Sequence, residues 1–141
     1  MDMTVTLGFT HITVNDVDEA LGFYRDALGL TVHNDVSAGE GRWVTVGADT
    51  QPGVAIVLSP PHAGRSPADG DAMQELLVKG SLPMIGFSTD DVDGLFDKVS
   101  AAGAEVLQKP MNQPWGPRDC AFRDPSGNTI RITAVPPNSR S

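Results

Sequence analysis

Four side chains of this sequence could bind or transform a small molecule. His11 could serve as a hydrogen-bonding group or a weak base, because imidazole titrates near neutral pH. Arg131 offers a planar fork of N–H donors that suits a polar or anionic group. Trp43 and Trp115 could stack on a flat ligand. Structural alternatives stay open: a bond from the histidine to a neighbouring strand, a bridge from the arginine to Asp119 or another carboxylate, and ordinary packing of the tryptophans.

The other reactive side chains favour structural roles. Cys120 is the single cysteine, which excludes an internal disulfide and a cysteine-based zinc site. Free cysteine usually packs in the core, so we expect it buried on a strand. His33 and His62 fall in or beside predicted loops and are expected at the surface. Tyr24 belongs to the apolar stripe of a predicted helix.

The composition is that of a globular protein with an acidic surface. Apolar residues make up 40% of the 141 positions, and the net charge is −8. The absence of a basic cluster argues against nucleic acid as a partner. No apolar run reaches the roughly 20 residues of a membrane helix, and the N-terminus does not resemble a signal peptide. We therefore expect a cytoplasmic protein with no membrane partner.

An internal repeat organises the chain. Asp16-Val17-Asp18 recurs as Asp91-Val92-Asp93, and each copy follows a strand-like segment and opens a helix-like one. The sequence therefore predicts one strand–helix–sheet unit used twice.

The first unit opens with a strand-like alternation over residues 4–14. It places Ile12 and Val14 on one face, and Phe9 and His11 on the other. The apolar face must meet the helix that follows. Phe9 and His11 are then expected on the opposite, concave side.

That helix is predicted over residues 16–28. Asn15 or Asp16 caps it, and Gly29 ends it. Further strands are predicted over residues 30–34, 42–47 and 54–59. Trp43 should face the concave side, whereas the run over 54–59 is apolar enough to predict burial on both faces.

Residues 60–82 join the two units. A turn-rich loop precedes a short helix over 71–80, capped by Asp71 and ended by Gly80. The segment is too long for a plain linker, so we expect it to cover a mouth of the site or a dimer edge.

The second unit repeats the order. Its first strand places Ile85 and Phe87 toward the helix and Met84 toward the concave side. The other predicted elements are a helix over 91–102, strands over 104–108 and 118–123, a tight turn over 124–128 and a last strand. In the last strand Arg131 faces the concave side. The tail over 136–141 is expected to be disordered.

Two stretches carry a resemblance to a known family: Asp16-Val-Asp-Glu-Ala-Leu-Gly-Phe-Tyr-Arg-Asp-Ala-Leu-Gly-Leu30 and Phe122-Arg-Asp-Pro-Ser-Gly-Asn-Thr-Ile-Arg-Ile132. The chain resembles the vicinal oxygen chelate superfamily, which includes glyoxalase I, extradiol dioxygenases and bleomycin-resistance proteins. The resemblance implies an α+β fold in which two βαβββ modules form a concave mixed β-sheet cup. We expect a single domain with modules over 5–60 and 83–135 and a linker over 61–82.

Enzymes of this family hold a divalent metal with His, Gln or Glu on strands that face the cup. Aligned on Asp16, those positions fall on Phe9, Met84, Arg131, and Val57 or Ala55. None supplies the oxygen or nitrogen ligands that such a metal needs, and Arg131 would repel a cation. We expect no cofactor and no usual metal site. The alternative that His11 recruits a metal with displaced partners stays open.

The segment from Trp115 to Arg131 resembles the bleomycin-resistance proteins, which share a Trp-Gly-x-Arg loop and sequester a drug without metal. The predicted function is metal-free binding of a small molecule, with drug sequestration as one form. The alternative is a metal-dependent lyase, isomerase or dioxygenase with a displaced site around His11. The predicted ligand-binding residues are Phe9, His11, Trp43, Met84, Trp115, Arg118 and Arg131. The family typically covers open sheet edges by pairing or swapping units, so a homodimer is expected.

Overall fold

Each half of the chain folds as a strand, a helix and three further strands. The computed structural model describes residues 3–38 and 41–135, so the predicted tail lies outside the described residues. The first half comprises β1 (Phe9–Thr13), α1 (Val17–Leu21) continued by a π-helical segment (Gly22–Ala27), β2 (Thr31–Ala38), β3 (Gly41–Gly47) and β4 (Ala55–Ser59). After α2 (Pro67–Val78), the second half comprises β5 (Ile85–Thr89), α3 (Val92–Ala101), β6 (Glu105–Asn112), β7 (Arg118–Arg123) and β8 (Thr129–Ala134).

The strands form two four-stranded mixed sheets of the same design. Their orders are β1-β4-β3-β2 and β5-β8-β7-β6. In each sheet the first strand runs parallel to the fourth, and the other pairs are antiparallel. The predicted α+β fold of two βαβββ units is confirmed.

The helix-facing side of each strand enters one shared core. Ile12 and Val14 on the first sheet, and Ile130 and Ile132 on the second, are buried there as the alternation predicts. The helices lie over these faces, so the opposite face of each sheet is turned away from the core. Phe9 and His11 are exposed on that opposite face of the first sheet.

Both repeated helices begin and end as predicted. The Asp16 and Asp91 carboxylates accept hydrogen bonds from the backbone N–H groups of Glu19 and Gly94, at 3.1 and 2.9 Å. Past the C-terminal ends, Gly29 and Gly103 take φ values of 86° and 96°, which disfavour residues with a Cβ.

The first helix departs from a plain α-helix. From Gly22 onward it widens to π geometry, and the Leu28 N–H donates to the Phe23 carbonyl at 2.9 Å. The hydrophobic spacing did not reveal this, because a single wide turn shifts the buried positions by only about one residue, here to Phe23 and Ala27.

Several predicted boundaries differ. Strands β2 and β6 extend to Ala38 and Asn112, four residues beyond their predicted ends. The first strand begins at Phe9, because residues 3–8 have no strand beside them in the described chain. The helix between the units begins at Pro67, because the Ser66 hydroxyl caps it by accepting from the Asp69 N–H. The predicted burial of β4 on both faces is wrong. Ala55 and Val57 are only half-buried, because no layer in the described part of the chain covers the concave side that they face.

A buried polar turn joins the two halves. The Tyr24 hydroxyl donates to Asp124 Oδ2 at 2.6 Å, and Asn128 Nδ2 donates to the Thr13 carbonyl at 2.8 Å. The Asn15 N–H also donates to Ser126 Oγ at 2.9 Å. We call residues 124–128 the latch, because they bond the second module to the first.

None of the helices in the described residues has the length and apolar character of a membrane-spanning helix.

Candidate functional site

Strand register shows which concave residues of the two modules are equivalent. On the first sheet, His11 lies beside Val57, which lies beside Thr45. On the second sheet, Gly86 lies beside Arg131, which is followed by Ala121 and Gln108. Val57 is therefore the counterpart of Arg131, and His11 is the counterpart of Gly86.

The concave face of the first sheet is aromatic. The His11 ring lies edge-on to Trp43, with centroids 5.6 Å apart, and 6.0 Å from Phe9. Its Nδ1 lies 3.1 Å from the hydroxyl of Ser59, a buried residue of β4. This hydrogen bond fixes the orientation of the His11 ring. A bond from His11 to a neighbouring strand was one of the two roles that the sequence left open for this residue.

The linker after β4 forms one wall of a cavity above this face. The cavity measures about 280 Å³ and is lined by His11, Trp43, Ser59, Ala63, Gly64 and Arg65. Arg65 is held in place because its Nη1 donates to the Pro61 carbonyl at 2.9 Å. The His11 ring is thus exposed to a recess that also contains a cationic side chain.

The loop that carries Arg65 is fixed to the helix behind it. His62 Nε2 lies 2.8 Å from Asp71 Oδ1. The His62 ring also packs so closely on Gly70 that a Cβ at that position would overlap it. Although His62 is exposed, its contacts with Gly70 and Asp71 of α2 hold the loop that forms the cavity wall.

The concave face of the second sheet is polar at its centre. Arg131 Nη1 donates to Asp119 Oδ2 at 3.0 Å and to Gln108 Oε1 at 3.2 Å. Gln108 and Gln113 each donate to Asp119 Oδ1 at 2.8 Å. These four residues form what we call the Asp119 cluster. The bridge to Asp119 that the sequence left open is therefore present.

The Asp119 carboxylate is ionised at neutral pH although it is only 2% exposed. Burial raises the pKa of this carboxyl, but hydrogen bonds from Gln113, Gln108 and Arg131 outweigh burial and leave the pKa below its usual value. The ion pair therefore holds Arg131 in one orientation. Among the described residues, only Nη1 of this guanidinium has side-chain partners, so Nε and Nη2 remain as donors for a ligand.

The remaining predicted site residues are spread over the second module. Met84 lies directly before β5 and is 58% exposed. Trp115 is 73% exposed and lies in the loop that joins β6 and β7 of the second sheet, whereas Trp43 lies on β3 of the first sheet. Arg118 lies on the helix side of β7, where its Nη2 donates to Asp93 Oδ1 at 2.7 Å.

The structure therefore brings the predicted residues together in two groups. Phe9, His11 and Trp43 share one face, and Met84 and Arg131 share the other. Among the described residues, no side-chain hydrogen bond or aromatic contact joins the two groups. Arg118 joins neither group, because alternation along β7 puts it on the face opposite Asp119.

Comparison with known proteins identifies the fold. A family model described as the Glyoxalase/Bleomycin resistance protein/Dioxygenase superfamily matches residues 6–132. The chain belongs to this superfamily. It is 32% identical to Uncharacterized protein YurT from Bacillus subtilis (strain 168) over 125 residues, which cover 87% of this chain and 94% of YurT.

Two solved structures of the superfamily fold are similar over nearly their whole length. UcmS2 is 30% identical, with a TM-score of 0.83 over 93% of this chain and 98% of that one. TnmS3, an antibiotic binding protein from Streptomyces sp. CB03234, is 26% identical, with a TM-score of 0.74 over 96% of this chain and all of that one.

The donor set does not fit the divalent metal held by enzymes of this superfamily. Their cup-facing ligand positions are occupied here by Phe9, Val57, Met84 and Arg131, and register selects Val57 over Ala55 as the counterpart of Arg131. These side chains offer no anionic oxygen or imidazole nitrogen. In the part of the chain that the structure describes, no three His, Cys, Asp or Glu side chains are grouped as ligands.

Sequence reasoning did not predict four residues on or beside the two concave faces: Ser59, Arg65, Gln108 and Gln113. Ser59 could have been found, because it lies two positions after Val57 on the same side of β4. Gln108 could not, because register shifts on both sides of it in the β6–β7 pair break simple alternation.

Proposed function

We propose that this protein binds a small organic molecule without a metal and acts by sequestration. The observation that carries the proposal is Arg131, which replaces the acidic ligand of the family's metal enzymes and is held by a buried carboxylate. An arginine fixed in this way presents donors in a preset direction, which suits recognition of a polar group on an otherwise apolar ligand.

A similar protein supports drug binding as the form of this function. TnmS3 is described as an antibiotic binding protein, and it shares the fold and 26% of its residues with this chain. Antibiotics are therefore the first compounds to screen. A cytoplasmic location, expected from the sequence, is part of the same proposal.

The competing function is an enzyme built around His11. The cavity beside His11 and Arg65 favours it, since the imidazole faces a recess large enough for a small substrate. A catalytic histidine commonly has a carboxylate as the partner of its second ring nitrogen, and here that partner is the neutral hydroxyl of Ser59. The binding function therefore has the stronger support.

We further propose that the functional unit is a homodimer. Among the described residues, no strand pairing, side-chain hydrogen bond or aromatic contact joins the two concave faces, so we expect a second copy to complete a cup that uses both. Met3, Val5, Leu7 and Phe9 alternate along the chain with exposed fractions of 93%, 97%, 65% and 63%. Such an apolar row with open backbone is suited to pairing with another chain.

Sedimentation analysis tests the dimer. At micromolar concentration the protein should sediment at twice its 14.9 kDa mass, and Val5→Asp with Leu7→Asp should halve it. A purely monomeric unaltered protein would refute the dimer.

Metal content and ligand binding test the function. Protein purified without chelators should contain far less than one Ni²⁺, Zn²⁺ or Fe²⁺ per chain. A thermal-shift screen of antibiotics and 2-oxoaldehydes should find ligands whose calorimetric affinity falls about tenfold or more in Arg131→Met, because a hydrogen bond to a charged group is lost. Arg118→Met is the matched control, since this arginine lies on the other face.

Arg131→Glu separates the two functions further. It restores the acidic residue of the family's enzymes, yet it should abolish ligand binding without creating stoichiometric metal affinity, because the other donors are still missing. One tightly bound divalent metal per unaltered chain that His11→Ala removes would refute metal-free binding and favour the metal-dependent alternative.

A further inference from the structure

Arg65 differs from the other described arginines, because no described carboxylate pairs with it. Each of the others forms an ion pair with an aspartate or a glutamate: Arg25, Arg42, Arg118, Arg123 and Arg131. Nη1 of Arg65 donates instead to an uncharged oxygen, the Pro61 carbonyl, at 2.9 Å. Asp71, on the helix behind the loop, pairs with His62. Arg65 therefore keeps a positive charge that no described side chain neutralises, in a chain whose net charge is −8.

The backbone of Arg65 is fixed by the turn that carries it. Its N–H donates to the His62 carbonyl at 3.2 Å, and the Ala63 N–H donates to the Pro60 carbonyl at 3.1 Å. Gly64 takes a φ of 70° within this turn, a value that favours glycine. A cation that is positioned before the ligand arrives loses little conformational freedom on binding, which favours affinity.

Two side chains of the first sheet line the same cavity as Arg65. Nδ1 of His11 contacts the Ser59 hydroxyl, and Nε2 has no hydrogen-bond partner in the described part of the chain. When that hydroxyl donates to Nδ1, Nε2 carries the ring proton and can donate to a ligand oxygen. Trp43 is half-buried and adds an aromatic surface. The cavity of about 280 Å³ thus combines a cation, a neutral donor and an aromatic wall.

The charges at this cavity favour a ligand with a single negative charge. One guanidinium without a carboxylate partner balances one carboxylate, whereas a phosphate monoester carries roughly two negative charges at neutral pH. The second of these charges would be repelled by a chain of net charge −8. An uncharged ligand would gain no ion pair from Arg65.

We propose that this cavity binds the carboxylate of an aromatic acid. Arg65 forms the ion pair, Nε2 of His11 donates a second hydrogen bond, and the ring of the acid lies against Trp43. The inference rests on the proposed binding function and deepens it, since it gives the charge class of the ligand. It also assigns that charge to the first sheet, because Arg131 on the second sheet is already paired with Asp119.

Three probes with one ring system test the charge. 2-Naphthoate carries one negative charge, 2-naphthamide carries none, and 2-naphthyl phosphate carries about two. The indole N–H signal of Trp43, assigned by its loss in Trp43→Phe, reports binding in heteronuclear NMR titrations. 2-Naphthoate should have the lowest dissociation constant, by about tenfold over each of the others. The net charge of −8 repels anions from the protein as a whole, so a preference for 2-naphthoate over the amide has to arise at the cavity.

Variants of the two donors test their roles. Arg65→Met should weaken 2-naphthoate about tenfold or more and remove its advantage over 2-naphthamide. Arg25→Met is the matched control, because it makes the same change in net charge on an exposed helical segment and should leave that advantage unchanged. His11→Leu should weaken 2-naphthoate by a smaller factor than Arg65→Met, since a neutral donor contributes less than a charged one. A thermal melt of each variant establishes that it is folded.

The outcomes separate the inference from the proposed function. Tighter binding of 2-naphthyl phosphate would overturn the single charge. Equal affinity for 2-naphthamide, or unchanged binding of 2-naphthoate by Arg65→Met, would overturn the carboxylate site, as would a Trp43 signal that none of the probes shifts. In each of these cases, a ligand from the antibiotic screen whose affinity depends on Arg131 would leave the proposed function standing.

Discussion

Replacing Tyr24 by Phe tests how strongly the latch holds the two modules together. The substitution keeps the ring, which packs edge-on to Phe23 at 4.9 Å, and removes only the hydroxyl. That hydroxyl donates to Asp124 Oδ2 at 2.6 Å, and both residues are buried. Hydrogen bonds to charged groups contribute about 1.5–3 kcal/mol to stability.

Asp124 does not become an isolated charge when the hydroxyl is lost. Its carboxylate still accepts from Asn128 Nδ2 and from the backbone N–H groups of residues 126–128. We therefore expect a loss of about 2 kcal/mol in the free energy of unfolding, near the middle of the range. The melting temperature should fall by roughly 4–8 °C for a chain of this length.

The pH dependence of stability gives a second, independent test of this hydrogen bond. Burial, repulsion from Asp124 and the hydrogen bond to Asp124 together raise the pKa of Tyr24 well above its usual value near 10. Below pH 10 the tyrosine is protonated in both the folded and the unfolded chain, so the contribution of the hydroxyl is complete. Above pH 10 the unfolded tyrosine ionises first, which stabilises the unfolded state. The difference in the free energy of unfolding between the unaltered protein and Tyr24→Phe should then shrink by up to about 1.4 kcal/mol per pH unit.

Urea unfolding at pH 7, 9, 10 and 11 measures this gap. Asp26→Asn is the control, because Asp26 lies on the same helical segment but is exposed and, among the described residues, is paired with Arg25 alone. It should change stability little at any of these pH values. A Tyr24→Phe variant as stable as the unaltered protein at pH 7, or a gap that widens above pH 10, would show that the hydroxyl does not stabilise the latch.

Three further substitutions or reagents test other features. Gly127→Ala should lower stability by about 1–3 kcal/mol in urea unfolding, because φ is 121° there and a Cβ would overlap the Leu77 carbonyl; unchanged stability would contradict the turn geometry. Burial raises the pKa of Cys120 to about 11, so a disulfide reagent at pH 8 should label it only on unfolding, and rapid native labelling would contradict its burial. Gly70→Ala should displace His62 and shift its NMR signals, while unaltered signals would show that the loop is not pinned there.

The fold was predictable because its signals are local. Alternation identifies Ile12 and Val14, or Ile130 and Ile132, as core residues without knowledge of their neighbours. Caps such as Asp16 and glycine stops depend only on a few adjacent residues. A repeat of those local signals is enough to predict two modules of the same design.

The site was less predictable because it depends on pairing between distant strands. The sequence places Arg131 on the concave face but leaves its partner open between a ligand and Asp119, since the partner follows from register. Alternation along β7 already puts Arg118 on the helix side with Cys120, whereas the resemblance of the Trp-Gly-x-Arg loop favoured a ligand contact. Residues 4–8 show a strand pattern, but a pattern does not supply the neighbouring strand that a sheet requires.

The latch has a consequence for the order in which the chain can fold. Its three hydrogen bonds join residues 100, 111 and 115 positions apart. Contacts of such separation form late, because a long loop must close before they contribute. During synthesis the first helix emerges well before residue 124, so Tyr24 has no acceptor for its hydroxyl until most of the chain exists. The first module therefore gains these three hydrogen-bond partners only when the second module is present.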